Sequence, residues 1–412
     1  SPSLSGLSLG VHNPMNKFVF SAFAAPLISA TGLASDTEWP ELDRELAALS
    51  NAPLTQDSGG PYLGGWLIGV FDYNADAEIG GTGADKGDLT DVGFGIRSAR
   101  LNVAGSVAEN YGYKIGFDFF ETNEMYSTSS TPPTPGTAGI TDAYGTVAIQ
   151  DVLNVKMGIF NGPCLRSARL DRNKTLFLDR SYLGYQQADR DVGLALDGDF
   201  TRVHWELAAT NGFDGKTDGF GWAVGVDVDI LGEMSDVEGA WGAQEGTNLN
   251  IGIYYSDDTS DYHAGDLLPD GTPATPGQSR DAATLSADAT LVAGAFTVFA
   301  EVADYDKGVG AMLPDGTGTD LNNTPWSAGL AYLFGEVYEV AFRYDDLDVG
   351  QTGNPVLYDT KRYNFGINRY IAGHDVKWQF QYAFGDSKSS ASSSAGKIGE
   401  HSIFSIGLAL GF

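Results

Sequence analysis

The sequence predicts an all-β fold, a sixteen-stranded antiparallel transmembrane β-barrel with long loops at one end and short turns at the other. Three observations predict it. From residue 65 onward apolar residues recur with a period of two, in segments of about ten residues. The connections between these segments alternate between long and short. One face of each segment is apolar and aromatic, while the other carries charged and amide side chains. Strands with lipid on one side and water on the other need that alternation, and a closed barrel leaves no backbone edge unpaired in lipid. The composition agrees: 412 residues with Gly 54, Tyr 19, Phe 22 and Trp 7 suit one large β architecture better than several small domains.

Residues 1–60 form a separate N-terminal segment. Met15–Asp36 combines Lys17, an apolar stretch and small residues, so 15–34 resembles a secretory signal. In "DTEWPELDRELAALS", Thr37 can cap, Pro40 suits a first turn, and Leu42, Leu46 and Leu49 recur at helical spacing. A short helix is expected over about 38–50, then a Gly/Pro/Ser linker. The barrel is assigned to 61–412. "GWLIGVFDY" (65–73) is its first strand. Strands follow at 91–104, 111–122, 140–150, 153–160, 190–198, 201–210 and 219–230. The remainder are at 247–257, 281–291, 294–304, 324–334, 337–347, 360–371, 374–385 and 401–412. Long connections span 74–90, 123–139, 162–189, 211–218, 258–280, 305–323, 348–359 and 386–398. The short ones are 151–152, 199–200, 292–293, 335–336 and 372–373, and only 231–245 breaks the rule. Such a layout belongs in a bacterial outer membrane, with its lipid as the surrounding partner. No run of about 18 apolar residues is present for a spanning helix.

The faces sort the charged residues. Val203, Trp205 and Leu207 share one parity, and Arg202, His204 and Glu206 the other. Val376, Trp378, Phe380, Tyr382 and Phe384 alternate with Lys377, Gln379 and Gln381. Parity assigns Arg100, Lys114, Lys156, Arg202, Arg343 and Lys377 to the lumen wall. The same rule sends Asp118, Asp191, Asp197, Glu206, Asp227, Asp229, Asp288, Glu301, Glu339 and Asp345 there. That wall is mixed and slightly acidic, as a water-filled lumen allows and a dry core does not. A soluble sandwich with one wet face is the alternative, but it would not keep aromatics on nearly every apolar face.

Charge narrows the partners. With 54 acidic against 24 basic residues and a net charge of −30, nucleic acid is excluded, since phosphate backbones require a basic excess. Against that background "GPCLRSARLDRNKTLFLDR" (162–180) concentrates Arg166, Arg169, Arg172, Lys174 and Arg180 in one long connection. The single cysteine, Cys164, can form no intrachain disulfide, and it is read as a packing residue. His12, His204, His263, His374 and His401 lack metal spacing. "GLSLG" matches a nucleophile-elbow pattern without its strand–turn–helix context. "GGTGADKG" lacks the phosphate-loop ending. "DYNADAEIG" is similar to a calcium loop but has Ala77 in place of the turn glycine. No metal site and no cofactor are therefore expected, with surface Ca²⁺ at the acidic outer loops left open.

Three stretches resemble the phosphate-selective porin O/P family: "RSARLNVAGSVAENYGYKIGFDF", "FNGPCLRSARLDRNKTLFLDRSYL" and "RDVGLALDGDFTRVHWELAATNGF". The layout resembles that family over most of 65–412, and the specific motifs lie within about 97–213. Phe412 is similar to the closing aromatic that outer-membrane barrels show to their assembly machinery. The resemblance implies a sixteen-stranded porin, usually a homotrimer, whose third long loop folds into the channel and constricts it. The five basic residues of 162–180 would then stand at the constriction, either as an anion filter or as struts paired with wall carboxylates. The outer loops "YNADAEIGGTGADKGD" and "DTSDYHAGDLLPD" are acidic and would repel phosphate. The expected function is a diffusion pore for small hydrophilic solutes or ions, with no catalysis. The alternatives are an anion- or phosphate-selective porin and a structural or adhesive surface protein. A barrel enzyme would need a catalytic cluster at one rim, and no Ser/His or Asp/His set stands at matching strand ends.

Overall fold

The structure, a computed structural model, describes residues 61–78, 88–119, 139–150, 153–188, 190–212, 220–243, 245–258, 282–306, 324–346, 359–388 and 401–412. The expected signal-like stretch and short helix, and most of the acidic outer loops, lie outside the described residues.

Among those residues, sixteen strands follow one another around a closed barrel. They are β1 (Tyr62–Glu78), β2 (Asp88–Ala108), β3 (Tyr111–Asp118), β4 (Gly139–Gln150), β5 (Leu153–Phe160), β6 (Asp191–Phe200), β7 (Val203–Thr210) and β8 (Gly221–Leu231). The second half comprises β9 (Thr247–Asp258), β10 (Ala282–Ala293), β11 (Phe296–Asp306), β12 (Trp326–Phe334), β13 (Tyr338–Asp346), β14 (Asp359–Ala372), β15 (Val376–Lys388) and β16 (His401–Gly411). Each strand pairs antiparallel with its chain neighbours, and β1 closes the ring on β16 from Trp66↔Gly411 to Asn74↔Ile403.

The alternation predicted from sequence sets the two faces. Leu194, Leu207, Val226, Ile253, Val298, Leu330, Phe365 and Tyr382 are exposed on the outside. Glu206, Asp227, Glu301, Glu339, Arg343, Lys377, Gln379 and Gln381 are buried on the inside. An outer aromatic row crosses four strands at the loop end: Trp326, Tyr344, Tyr363 and Phe384 have successive ring centroids 5.0, 5.1 and 4.9 Å apart. Amphipathic rings of this kind settle at a membrane–water boundary.

Several boundaries differ from the sequence reading, among them the β10–β11 turn, which falls at 294–295 instead of 292–293. β1 and β2 run to 17 and 21 residues, because pairing persists through Asn74↔Asp91 to Glu78↔Asp88. Asp, Asn and Gly there suggested a loop, but backbone pairing alone continues the ribbon. The β6–β7 turn falls at Thr201 and Arg202 instead of 199–200. Thr201 has φ 55°, a left-handed value that sequence periodicity does not reveal for threonine. Arg202 is thereby removed from the wall. It is exposed in the turn, and its Nη1 donates to the Ile230 carbonyl at 3.3 Å. The β12–β13 turn is where expected, with Gly335 at φ 56° and Glu336 at φ 62°, the paired left-handed residues of a tight hairpin.

The irregular connection between β8 and β9 is a further difference. It begins at the turn end of the barrel, and instead of turning back it folds inward. There it meets the third long loop, which descends from the opposite end.

Candidate pore constriction

The third long loop starts after Phe160 and carries a one-turn helix α1 (Arg166–Arg169), a 3₁₀ turn (Arg172–Lys174) and a second short helix α2 (Tyr182–Gln186). Ser181 caps α2, its hydroxyl accepting from the Gly184 N–H at 2.9 Å. Between the two helices lies an apolar run, Leu176, Phe177 and Leu178, all buried. Each finds an apolar or small patch on an otherwise polar wall. Leu178 packs with Trp66, Ile68, Val70 and Ala409, and Leu176 and Phe177 pack with Ala331, Ala341 and Phe299. Gly366 and Gly407 make room, since a Cβ at either would run into Phe177 or Leu178. Burial of side chains of this size stabilises by about 1.5–3 kcal/mol each, so the loop is fixed by a small core of its own.

Hydrogen bonds carry it down the wall. The Leu178 N–H donates to Gln381 at 2.8 Å, and Gln381 Nε2 donates to Asp179 at 3.2 Å. Asn368 donates to the Leu176 carbonyl at 2.9 Å, and Gln379 donates to the Thr175 carbonyl at 3.1 Å. Lys377, which the sequence assigned to the wall, gives its ammonium to that same Thr175 carbonyl at 2.5 Å. At the bottom, His374 of the β14–β15 turn lies with Nδ1 3.3 Å from the Asn173 carbonyl. The loop therefore reaches the turn end of the barrel.

The five basic residues of the loop are placed as follows. The Arg166 backbone N–H donates to Asp288 at 2.7 Å, while its guanidinium donates to the Ser235 and Val237 carbonyls. Arg169 makes a forked pair with Asp227 (2.7 and 3.1 Å) and donates to Tyr254 at 2.8 Å. Arg172 is buried. Lys174 pairs with Asp171 at 3.3 Å. Arg180 donates to the Leu170 carbonyl at 2.8 Å. Burial, with Arg169 opposing it, pushes the Cys164 thiol up to about 12. The described cations are turned to carboxylates, carbonyls and the wall.

The inward segment, residues 232–246, completes the filling of this side. The Glu238 N–H donates to the Lys174 carbonyl at 3.1 Å, and its carboxylate accepts from the Leu176 N–H at 2.6 Å. The Ala240 N–H donates to Glu339 at 2.7 Å, and Trp241 stacks on Tyr370 with centroids 5.2 Å apart. Asp229, at the foot of β8, holds the segment's start by accepting from the Met234 N–H at 3.2 Å. Glu339, Arg343, Asp345, Asn364, Asn368 and Lys377 are each 1% exposed or less. The lumen face of β13–β15 is consequently packed, not wet.

The wall of β2–β7 is different. Side-chain exposure remains 34% at Lys114, 18% at Lys156 and 16% at Asp197. A cavity of about 410 Å³ opens along this side, lined among others by Tyr111, Tyr144, Asn154, Lys156, Asp197 and Glu206. Above it, toward the loop end, Asp142 is shared by Arg100, Lys114 and Arg190. Asp118 accepts from Ser98 at 3.3 Å, and Arg97 pairs with Asp72 at 3.2 Å and with Asp179 at 3.3 Å. Glu301 accepts from Ser167, and Asp345 pairs with Arg343 at 3.1 Å. Asp191 stands at the loop end of β6, opposite Phe160.

Parity from sequence missed Arg97, Asp142 and Arg190. Arg97 is the extra residue where the β1–β2 register shifts between Ile68 and Gly69, and Thr141 plays that part opposite Gly116 and Phe117. A bulge inserts one residue and so reverses the in–out count on one side of it. Arg190 precedes β6 and follows no strand parity.

With this geometry in view, comparison with known proteins gives a resemblance to a family and a fold. The family model of phosphate-selective porin O and P matches residues 71–268. No curated protein matches the sequence. Among solved structures, OprB of Pseudomonas putida is similar at 10% identity, covering 89% of this chain and 97% of its own, with TM-score 0.58. The outer-membrane channel DcaP of Acinetobacter baumannii is similar at 11% identity, covering 87% and 99%, with TM-score 0.57. An anion-selective porin from Comamonas acidovorans is similar at 11% identity, covering 86% and 100%, with TM-score 0.53. The family match and the closed sixteen-stranded barrel together make this chain an outer-membrane porin that resembles phosphate-selective porins O and P.

Proposed function

We propose that this porin passes small hydrophilic solutes and ions by passive diffusion along an off-centre route, between the third loop and the β2–β7 wall, without catalysis. The observation that carries this reading is the contrast between the two sides of the lumen. The wall of β13–β15 is sealed under the loop and the inward segment, whereas Lys114, Lys156 and Asp197 stay partly exposed around the cavity on the opposite side. The loop arginines act as struts: Arg169 is held by Asp227 and Tyr254, and Arg166 by Asp288 and the Ser235 and Val237 carbonyls. A strut is not a filter, so the third-loop cluster gives the channel little anion preference.

Assembly as a homotrimer is part of the proposal. β3, β5 and β7 have 8 residues each, fewer than the 9–11 that a tilted strand uses to cross a bilayer. Exposed Ile115, Met157 and Leu207 on their outer faces suit cover by neighbouring copies. OmpT of Vibrio cholerae, similar at 12% identity with TM-score 0.53, was described in a trimer form.

Conductance across a KCl gradient in a planar bilayer tests the pore reading. The purified protein is expected to open channels with a small zero-current potential. Replacing Arg166, Arg169 and Arg172 by alanine is expected to destabilise the loop and make the current noisier, with little change in the sign of selectivity. A protein that inserts but opens no channels would favour a structural surface role. A strong anion selectivity abolished by the triple substitution would restore the loop as the filter.

A further inference from the structure

Two side chains on the β2–β7 wall, the buried Asp142 and the partly exposed Lys156, each have the sign opposite to their surroundings. Asp142 on β4 is the shared partner of three cations. Arg100 and Lys114 meet Oδ2, the latter at 3.5 Å, and Arg190 Nε lies 3.2 Å from Oδ1. Lys156 on β5 sits between two carboxylates that face each other across β6 and β7. Its Nζ is 3.2 Å from Glu206 and 3.9 Å from Asp197, above the rings of Phe160 (5.3 Å) and Tyr144 (5.8 Å). Like charges directly opposite on adjacent strands destabilise a sheet, so Asp197 and Glu206 need a cation between them. Three cations converging on one place need an anion for the same reason.

The two sites are stacked along one route. Asp142, Tyr144 and Thr146 share the inner face of β4, and Thr146 is directly opposite Lys156. Four residues of strand separate the levels by about 13 Å. Lys156, Tyr144, Asp197 and Glu206 line the open cavity, and Lys114 of the upper site keeps a third of its side chain exposed. An ion descending this wall passes a basic site with a built-in anion, then an acidic site with a built-in cation.

We propose that Asp142 and Lys156 are tethered counter-ions that set the ion selectivity of the channel, each occupying the position that a permeating ion of its own sign would take. The inference rests on the diffusion-pore reading above. Removal of the Lys156 charge leaves two adjacent carboxylates facing the cavity and makes it a site for inorganic or small organic cations. Removal of the Asp142 charge leaves three cations around one vacated position and makes it a site for carboxylate or phosphate oxygens. A unit charge about 7 Å away in water acts on a passing ion with energy near RT, which is roughly a threefold change in local ion concentration.

The test is the K⁺/Cl⁻ permeability ratio, from zero-current potentials in a planar bilayer, for the wild type, Asp142→Asn, Lys156→Met and Lys156→Arg. The ratio is expected to rise roughly two- to threefold in Lys156→Met, to fall by a similar factor in Asp142→Asn, and to stay at the wild-type value in Lys156→Arg. Ratios that do not move, or that move in the same direction in both charge-removing variants, overturn the proposal. Should Lys156→Met fail to fold, the double variant Asp197→Asn with Glu206→Gln probes the same site with the opposite sign, and its ratio must fall. A wild-type protein that opens no channels overturns the pore reading and this proposal together. Channels that conduct but ignore these substitutions overturn the proposal alone.

Discussion

His374 occurs among scattered histidines in the sequence, and no spacing marks it, yet its surroundings fix how it titrates. It stands in the β14–β15 turn, buried, with Nδ1 facing the Asn173 carbonyl and Nε2 3.1 Å from the Trp241 carbonyl. Trp241 and Tyr370 each present a ring edge-on at 5.3 Å. Burial first, then the Lys377 and Lys174 ammonium groups, push its pKa down to about 3, while the two carbonyls pull upward. A neutral ring donates one N–H, so it satisfies one carbonyl at a time. In the unfolded chain the imidazole gains its proton near pH 6.5. Between about 6.5 and 3 the unfolded state thus binds the extra proton. This part of the stability is complete above the window and is lost as pH falls through it, at up to about 1.4 kcal/mol per pH unit. The urea midpoint of the wild type is expected to fall more steeply from pH 7 to 5 than that of His374→Gln, and equal slopes would refute the assignment. What the sequence shows at this scale is sign and parity. Lys114, Lys156 and Glu206 lie on the face that parity gives them, in strands without an inserted residue, and Asp227 precedes the register shift of β8 between Asp229 and Leu231. The sequence cannot place Arg97 or pair Arg100 with Asp142, because one inserted residue shifts the count and partners 42 positions apart meet only after closure.

The third loop and the 232–246 segment form one device, built from opposite ends of the barrel. Loop identity was legible: a long connection with five cations, in third place, within a stretch resembling a porin family. Its depth was not, since that follows from Leu176, Phe177 and Leu178 finding Ala331, Ala341 and Ala409 on separate strands. The inward segment appeared only as a break in the long–short alternation. Two glycines, Gly239 within it and Gly373 of the β14–β15 turn, have a physical reason. Gly239 lies against the Glu339 carboxylate and Gly373 (φ 63°) lies under the Trp241 ring, so a Cβ at either site would force them apart. Cys164 reports on the device. It is 6% exposed with a thiol pushed up to about 12, so a maleimide should leave it unmodified in the folded protein at pH 8. Gly407→Val places a branched side chain against Leu178 and overpacks the loop's docking site, a change that costs about 1–3 kcal/mol. Cys164 labelling is expected to become measurable in that variant while the barrel persists, with conductance increased as the loop lifts. Unchanged labelling and conductance would mean that the loop is held without Leu178.

At the scale of the whole molecule, the barrel is asymmetric, and the asymmetry was only half legible. Strand number, direction, closure and the polar lumen follow from a period of two and from the even count. The uneven strand lengths do not, because the residues that end β1 and β2 resemble loop residues. Their consequence is a rim that stands high at β1–β2 and low at β3, β5 and β7, where strands have 8 residues. A strand of that length, tilted by about 40°, rises roughly 20 Å against an apolar band of about 25 Å. A lone barrel would have to thin the bilayer along that side, at a fraction of a kcal/mol per Å. Under the proposed trimer, association of three copies through the low side would remove the mismatch, because protein and not lipid would then cover Ile115, Met157, Leu194 and Leu207. Met157 is the sharpest probe, 68% exposed on β5 in a single chain. In gentle detergent the wild type is expected to run as a trimer by light scattering, and Met157→Arg with Leu207→Arg to run as a monomer that still conducts. A wild type that is monomeric at all concentrations, or a double variant that stays trimeric, would place the interface elsewhere. The off-centre route predicts one more feature of that assembly: the open wall and the low wall share β3, β5 and β7, so the conducting side of each barrel would lie next to the trimer axis.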